Sequence, residues 1–369
     1  MTKRKIITQS KFQKKLKGGC RKSIRNHPMS AAAVLHPPTP SPTALDGCKY
    51  FITSAPSQAR RLLSEITGRR ISLANNKRIG KGKFGSVYMG KMNCGDDIVD
   101  IAIKYIVIDR KFNELFLKNL CNEIDILEKL SGVEGVVQLY SWKELTNEEF
   151  HVDSYGNEIT LFPGYYLYIE YCNGGRLFDY IYKGGLIPGM VLLPENTVRV
   201  IIKKLVEIME ECHKRDVVHR DLKPENILLN LKNLPDKKNL WIDCLRISDF
   251  GIGRLLTDED HPLDDACGSR WTCSPEQLQG SPYTKKTDVW SIGVIAFVML
   301  TGKFPFHPYR RGAQELDLER ALKKHSTDTI NFFNHIFVDD ARRYSMKQLL
   351  ATEWLSELDE LSRKTYIED

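Results

Sequence analysis

His219-Arg220-Asp221-Leu222-Lys223-Pro224-Glu225-Asn226, followed within thirty residues by Asp249-Phe250-Gly251, is the stretch from which the rest of the chain can be read. Phosphoryl transfer needs a carboxylate on the attacking hydroxyl and oxygen ligands for a phosphate-bound metal. In this order Asp221 would orient the hydroxyl and accept its proton, while Lys223 would neutralise charge building on the transferred group. Asn226 and Asp249 would hold magnesium through oxygen. Asp-Phe-Gly alone is common by chance, so the order and spacing of the whole set carry the reading.

The upstream residues extend it. Gly80-Lys81-Gly82-Lys83-Phe84-Gly85-Ser86-Val87 lies between two β-like runs. Dinucleotide-binding folds use a similar glycine pattern to open a helix, but here a strand follows. The glycines would let the backbone close over phosphates, with Phe84 capping them and Val87 pressing on an adenine face. Lys104, in Ile101-Ala102-Ile103-Lys104, could reach the α- and β-phosphates as a point charge. A helix expected over roughly Asn113 to Leu130 carries Glu123, with Leu127 one turn further on the same face. Glu123 is the expected partner that orients Lys104, with Glu114 as its competitor.

With these residues in place, about residues 73–357 resemble the eukaryotic serine/threonine protein kinase family. The roles above follow the general template of that family. Ser274-Pro275-Glu276 resembles its Ala-Pro-Glu, Asp288-Val289-Trp290-Ser291-Ile292-Gly293 its central buried helix, and Arg343 the late arginine that pairs with Glu276. The resemblance implies an α+β bilobal fold, with a small β-rich N-lobe (73–171) and a larger α-helical C-lobe (172–357). It also implies ATP and Mg2+ as cosubstrate and cofactor, and proteins bearing Ser or Thr acceptors as substrates. Ile169-Glu170-Tyr171-Cys172 looks like the gatekeeper and hinge, where backbone groups of Glu170 and Cys172 would bond adenine between Val87, Ala102 and Leu228. Leu127, Leu139, His219 and Phe250 would stack into an internal column above Asp288. Lys223 after the catalytic aspartate, and Ser269 expected to bond both Asp221 and Lys223, resemble the serine/threonine branch rather than the tyrosine branch. The glycine loop, Gly135 to Trp142 and Leu177-Phe178-Asp179-Tyr180-Ile181 lean toward the Pim and calcium/calmodulin-dependent kinases. Arg176 departs from the acidic residue that basophilic relatives place there, leaving Asp179 and Glu225 as candidates for binding substrate arginines. A pseudokinase scaffold of the same fold is the alternative, although Lys104, Asp221 and Asp249 are all present.

Arg220 precedes the catalytic aspartate, as in kinases whose activation loop is ordered by a phosphate. Between Gly253 and Gly268 the only hydroxyl is Thr257. Asp264 and Asp265 would supply the missing charge, which predicts activity without loop phosphorylation.

Charge and composition bound the remainder. The net charge of +7 is uneven: residues 1–60 hold twelve Lys and Arg against Asp46, so the other 309 residues carry −4. The folded part therefore gives no electrostatic reason to expect nucleic-acid binding, which is left to the tail. Residues 1–55 join basic clusters to Pro37-Pro38-Thr39-Pro40-Ser41-Pro42 and bury too little apolar surface to order, as a solubilising leader, a nuclear-localisation segment or a membrane-surface or transit segment. Residues 56–72 are read as a short helix or linker with Leu62, Leu63 and Ile66 on one face, and 358–369 as a tail. The apolar run Val289 to Leu300 is well short of the ~20 residues of a membrane span and reads as a buried helix. Nine cysteines without a CxxC pair read as reduced thiols, among them Cys267 and Cys273 beside the substrate-facing loop. A monomer in the cytoplasm or nucleus is expected.

Overall fold

Short β-branched and aromatic runs dominate the first hundred residues of the expected domain, and long helical periods follow. The computed structural model describes residues 71–81, 85–94, 97–107, 114–152, 158–184, 188–190, 192–232, 243–256, 263–307 and 316–356. The basic N-terminal segment, the helix expected between Pro56 and Gly68, Gly82, Lys83, Phe84 and Thr257 lie outside them.

The first part is a five-stranded antiparallel sheet. Its strands are β1 (Ile71–Lys81), β2 (Gly85–Cys94), β3 (Asp97–Val107), β4 (Leu139–Leu145) and β7 (Gly164–Glu170), in the order β1-β2-β3-β7-β4. Helix α1 (Glu114–Lys129) lies between β3 and β4 in the chain, close to the span its periodicity predicts. Strands β5 (Glu149–Val152) and β6 (Glu158–Leu161) pair as an antiparallel hairpin, whose tip at Tyr155-Gly156-Asn157 is outside the described residues.

Alternation along the strands decides what faces the cleft. Ile101 and Ile103 of β3 pack with Tyr166 and Tyr168 of β7 on one side. Ile106 joins Tyr165 and Leu167 on the other, where Leu117, Leu120 and Ile124 of α1 cover them. Ala102 and Lys104 share that second side by the same period. Ile126 and Leu127, on a neighbouring stripe of α1, and Leu130 just beyond its end join the large core of the second part. One helix thus docks on both parts, with Glu123 between its two apolar stripes.

The second part follows Glu170. In chain order it contains α2 (Leu177–Ile181), the pair β8 (Tyr182–Gly184) and β9 (Pro188–Met190), α3 (Glu195–Lys214), β10 (Val217–Val218), the ribbon β11 (Ile227–Leu229) and β12 (Leu245–Ile247), and β13 (Arg254–Leu255). Then come α4 (Pro275–Gln279), α5 (Thr287–Thr301), α6 (Leu318–Ala321), α7 (Thr327–Asn334), α8 (Met346–Leu350) and α9 (Glu353–Ser356). Helix α5 is the apolar run read from the sequence, and every residue from Thr287 to Leu300 is buried. No single stripe is apolar because all sides are covered. Gly302, at φ +68, ends it in a left-handed turn that residues with a Cβ rarely adopt. Ser274 has a local role too: its side chain accepts the Gln277 N–H and starts α4, with Pro275 at the first helical position.

Among the described residues, no helix is long and apolar enough to cross a membrane.

Candidate active site

Lys104 and Glu123 meet because β3 and α1 share a buried interface. Lys104 Nζ donates to Glu123 Oε1 at 2.5 Å and stands 3.5 Å from Asp249 Oδ1. Burial works against the ammonium, but the Glu123 and Asp249 carboxylates outweigh it and hold its pKa above the usual range. A Cβ on Gly251 would lie 3.3 Å from Asp249 Oδ1 and 3.5 Å from Glu123 Oε2, so the residue after Phe250 sits at this junction. Helix α1 also reaches the following segment, where Asn122 Nδ2 donates to Gly253 O at 2.8 Å. Glu123 is thus the partner of Lys104, while the Glu114 side chain is not among the described ones.

The eight-residue stretch around Asp221 closes on itself. Lys223 Nζ donates to Asp221 Oδ2 at 2.6 Å and to Ser269 Oγ at 2.9 Å. Asn226 Nδ2 donates to the Asp221 carbonyl at 2.9 Å and more weakly to Oδ2 at 3.3 Å. That use of the amide nitrogen leaves Asn226 Oδ1 as a hard donor. The other carboxylate oxygen, Asp221 Oδ1, is buried and has no hydrogen-bond partner among the described residues. Ser269 reaches Lys223 but reaches Asp221 only through it, a narrower contact than the sequence suggests. Asn226 O accepts the N–H of Ser248 at 2.9 Å and its Oγ at 3.0 Å, joining the stretch to the backbone just before Asp249.

Beneath lies the expected column. His219 and Phe250 rings stand 4.6 Å apart, both fully buried, and Leu127 and Leu139 pack into the same core. Asp221 N–H donates to His219 Nδ1, so the ring proton sits on Nε2 and is given to Ser248 O at 3.0 Å. Asp288, at the start of α5, accepts the N–H of His219 at 2.9 Å and of Arg220 at 2.8 Å, and lies 2.9 Å from His213 Nε2. Burial opposes its charge, but His213 and the backbone donors keep the carboxyl below the usual carboxylate range. Arg220 and Asp249 hold φ of +67 and +64, strained values for residues with a Cβ. Such strain persists only where surrounding bonds enforce it, and here it falls beside Asp221 and in Asp249-Phe250-Gly251.

Arg220 itself is tied on three sides. Its Nε donates to Ile252 O at 2.7 Å, and its Nη1 to Asp265 Oδ1 at 2.5 Å and to Tyr283 OH at 3.1 Å. Gln277 Nε2 donates to the Arg220 carbonyl at 2.7 Å. Tyr283 and Gln277 escape sequence reading because each lies more than fifty residues from Arg220 in an unremarkable local setting.

The nucleotide side is carried by strand register. Val87 pairs with Lys104, Met89 with Ala102, and Gly80 and Lys81 with Val87 and Ser86. Gly85 has a packing reason for its identity, since a Cβ there would lie 2.1 Å from Tyr105 O. Glu170 ends β7, Cys172 is half-buried two residues on, and Leu228 lies in β11. Away from the cleft, Glu276 and Arg343 form the expected buried pair at 2.6 Å. Arg176 stands at the start of α2 and binds Asp179, one of the two candidates for substrate arginines, through both Nε and Nη2 at 3.0 and 2.7 Å in an exposed pair. Cys273 is buried, and burial pushes its thiol up to about 12, in keeping with an inert thiol.

The protein kinase domain family model matches residues 73–355. The CDPK-related kinase 8 of Arabidopsis thaliana is 28% identical over 92% of this chain and 56% of its own length. The serine/threonine-protein kinase unc-51 of Caenorhabditis elegans is 33% identical over 70% of this chain and 30% of its own. The serine/threonine-protein kinase ULK1 of Homo sapiens is 32% identical over 68% and 21%. This chain therefore spans little more than half of the first relative and under a third of the other two.

Proposed function

The chain belongs to the protein kinase family, and from that membership we propose that it transfers the γ-phosphate of ATP to Ser and Thr hydroxyls of proteins. The observation that carries the reading is the Asp221 carboxylate. One oxygen is engaged by Lys223 and Asn226 while the other is a buried acceptor without a partner among the described residues. A buried acceptor left unmade costs free energy unless a ligand completes it. A substrate hydroxyl would donate to Oδ1, be oriented by it, and pass its proton there as the new P–O bond forms. Lys223, already on Oδ2, would spread its charge over the transferred group.

Lys104, restrained by Glu123, keeps ammonium hydrogens for phosphate oxygens. Backbone at Glu170 and Cys172 would receive adenine between Val87, Ala102 and Leu228, with Gly80 to Val87 above the phosphates. Protein kinases use magnesium with ATP, and the residues here fit that ion. Asn226 and Asp249 offer two hard oxygen donors, with phosphate and water left to complete the coordination. When bound, magnesium neutralises phosphate charge.

Arg220 supports a reading of the activation segment. Its guanidinium takes the Asp265 carboxylate where a loop phosphate would otherwise serve, so the enzyme would be active without loop phosphorylation. Treatment with phosphatase should leave its activity intact.

The test is transfer of labelled γ-phosphate from magnesium ATP to an arrayed Ser, Thr and Tyr peptide library, with Asp249→Ala beside it. Signal on Ser and Thr peptides, lost in the variant, is expected. Nucleotide binding without transfer would favour a scaffold, and signal confined to Tyr peptides would refute the acceptor class.

A further inference from the structure

Glu170 holds two positions at once. Its backbone closes the cleft edge of β7, yet by the two-residue alternation of the strand its side chain falls with Tyr166 and Tyr168, on the side away from Lys104 and α1. There the carboxylate is buried and fully engaged. Oε1 accepts from Asn230 Nδ2 at 2.6 Å and from Arg246 Nε at 3.0 Å, and Oε2 from the Gln138 N–H at 3.3 Å. The Glu170 N–H donates to Gln138 O at 2.8 Å.

The partners belong to the ribbon that carries the adenine floor. Arg246 is the register partner of Leu228 across β11 and β12, and Asn230 follows β11 directly. Three more bonds stitch the chain leaving the hinge to the same ribbon: Gly174 N to Leu229 O at 2.7 Å, Leu229 N to Gly175 O at 2.9 Å, and Leu231 N to Asn173 Oδ1 at 2.7 Å. An outer layer crosses between the lobes. Lys232 Nζ lies 3.5 Å from Asp100 Oδ2 and 5.2 Å above the Tyr171 ring. Asp100 stands two residues before Ala102, on the adenine roof strand.

We infer that this polar clamp behind the hinge positions the adenine slot. Glu170 and Arg246 hold the hinge backbone at a fixed height above Leu228, and Lys232 with Asp100 ties the roof strand to the same frame. They are positioning residues, acting through the backbone of Glu170 and through Leu228. The inference rests on the ATP reading above and extends it to residues that touch no nucleotide. Arginine suits the buried position because its fork serves Glu170 through Nε while Nη1 donates to Asp243 O and Leu245 O at 2.9 and 3.0 Å. A lysine could not make these contacts together.

The experiment uses the full chain and two readouts, magnesium ADP affinity by calorimetry and steady-state phosphate transfer. Arg246→Gln should weaken ADP and raise KM for ATP by about five- to twentyfold, with kcat at saturating ATP within about twofold and peptide KM unchanged. Asp100→Lys and Lys232→Asp alone should each raise KM for ATP about two- to threefold, and the double exchange should restore the wild-type value. A merely architectural role would lower the folded fraction without moving either constant, and no exchange would rescue it. Folded Arg246→Gln protein with unaltered ADP affinity overturns the clamp, even if the wild type proves unable to transfer phosphate. A wild type that binds no nucleotide sinks the ATP reading and the clamp with it.

Discussion

Two ion pairs of nearly equal length sit in different parts of the molecule: Lys104 with Glu123 at 2.5 Å, and Arg343 with Glu276 at 2.6 Å. The arginine has no exposed side-chain surface, and each of its three nitrogens donates within the fold. Nε goes to Ile336 O, Nη1 to Glu276 and Lys286 O, Nη2 to Val338 O, and the guanidinium lies 5.0 Å from the Trp290 ring centre. The lysine keeps 23% of its side chain exposed, with one firm partner and Asp249 farther off. A cation enclosed by the fold, with every nitrogen bonded there, can only hold the fold. One with hydrogens to spare, restrained at the edge of a cleft, is built to receive something.

The sharpest way to break this contrast is Lys104→Arg. The cation beside Glu123 survives, so the thermal midpoint should move by no more than a few degrees. The planar fork replaces a point charge, however, and kcat/KM should fall by about 10²–10⁴ in the peptide assay. Retained activity would mean that Lys104 is architectural after all. Arg343→Ala should do the reverse, costing about 3–5 kcal/mol in a urea titration because Glu276 is left buried and uncompensated. The protein that remains folded should keep its specific activity within about twofold, and selective loss of kcat would erase the distinction.

Asp265→Asn tests an intermediate case, Arg220 beside Asp221, whose partner Asp265 is 47% exposed. It should lower kcat about tenfold with KM for ATP unchanged, and Asp265→Glu should restore most of it. Thr257→Ala with phosphatase treatment should have no effect. The smallest effect is that of pH. The Lys104 pKa is raised, so its share of stability is complete below about pH 10 and is lost as pH climbs through the folded value. That of Asp288 is lowered, so its share is complete above about pH 4 and is lost as pH falls through the folded value. The gap in thermal midpoint between wild type and Asp288→Asn should therefore narrow as pH falls through the acid range. A gap that stayed constant in acid would contradict it.

What could be read without coordinates was whatever the chain keeps close together. Asp221, Lys223 and Asn226 lie within six residues, and their mutual bonds are nearly forced by that spacing. Lys104 and Glu123 were reachable because one sits on a strand and the other on the next helix. Helix α5 declared itself by apolar content alone. The network around Glu170 had no such signal: a lone Arg246 on a short strand resembles any solvated charge until the register sets it beside Leu228. Tyr283 and Gln277 were hidden for the same reason, being brought to Arg220 by the packing of the segment after Gly268. Ser269 shows the limit from the other side, since the sequence suggested a bond to Asp221 that the geometry routes through Lys223.

Helix α5 has a consequence for how the protein is made. Its Trp290 and Phe297 are covered by Phe333 and Phe337, which the ribosome adds only later. Translation proceeds at about 5–20 residues per second, so the helix waits roughly 2–8 seconds for its cover. During that interval the nascent chain carries an oily rod with no wet face, a natural client for whatever guards the exit tunnel.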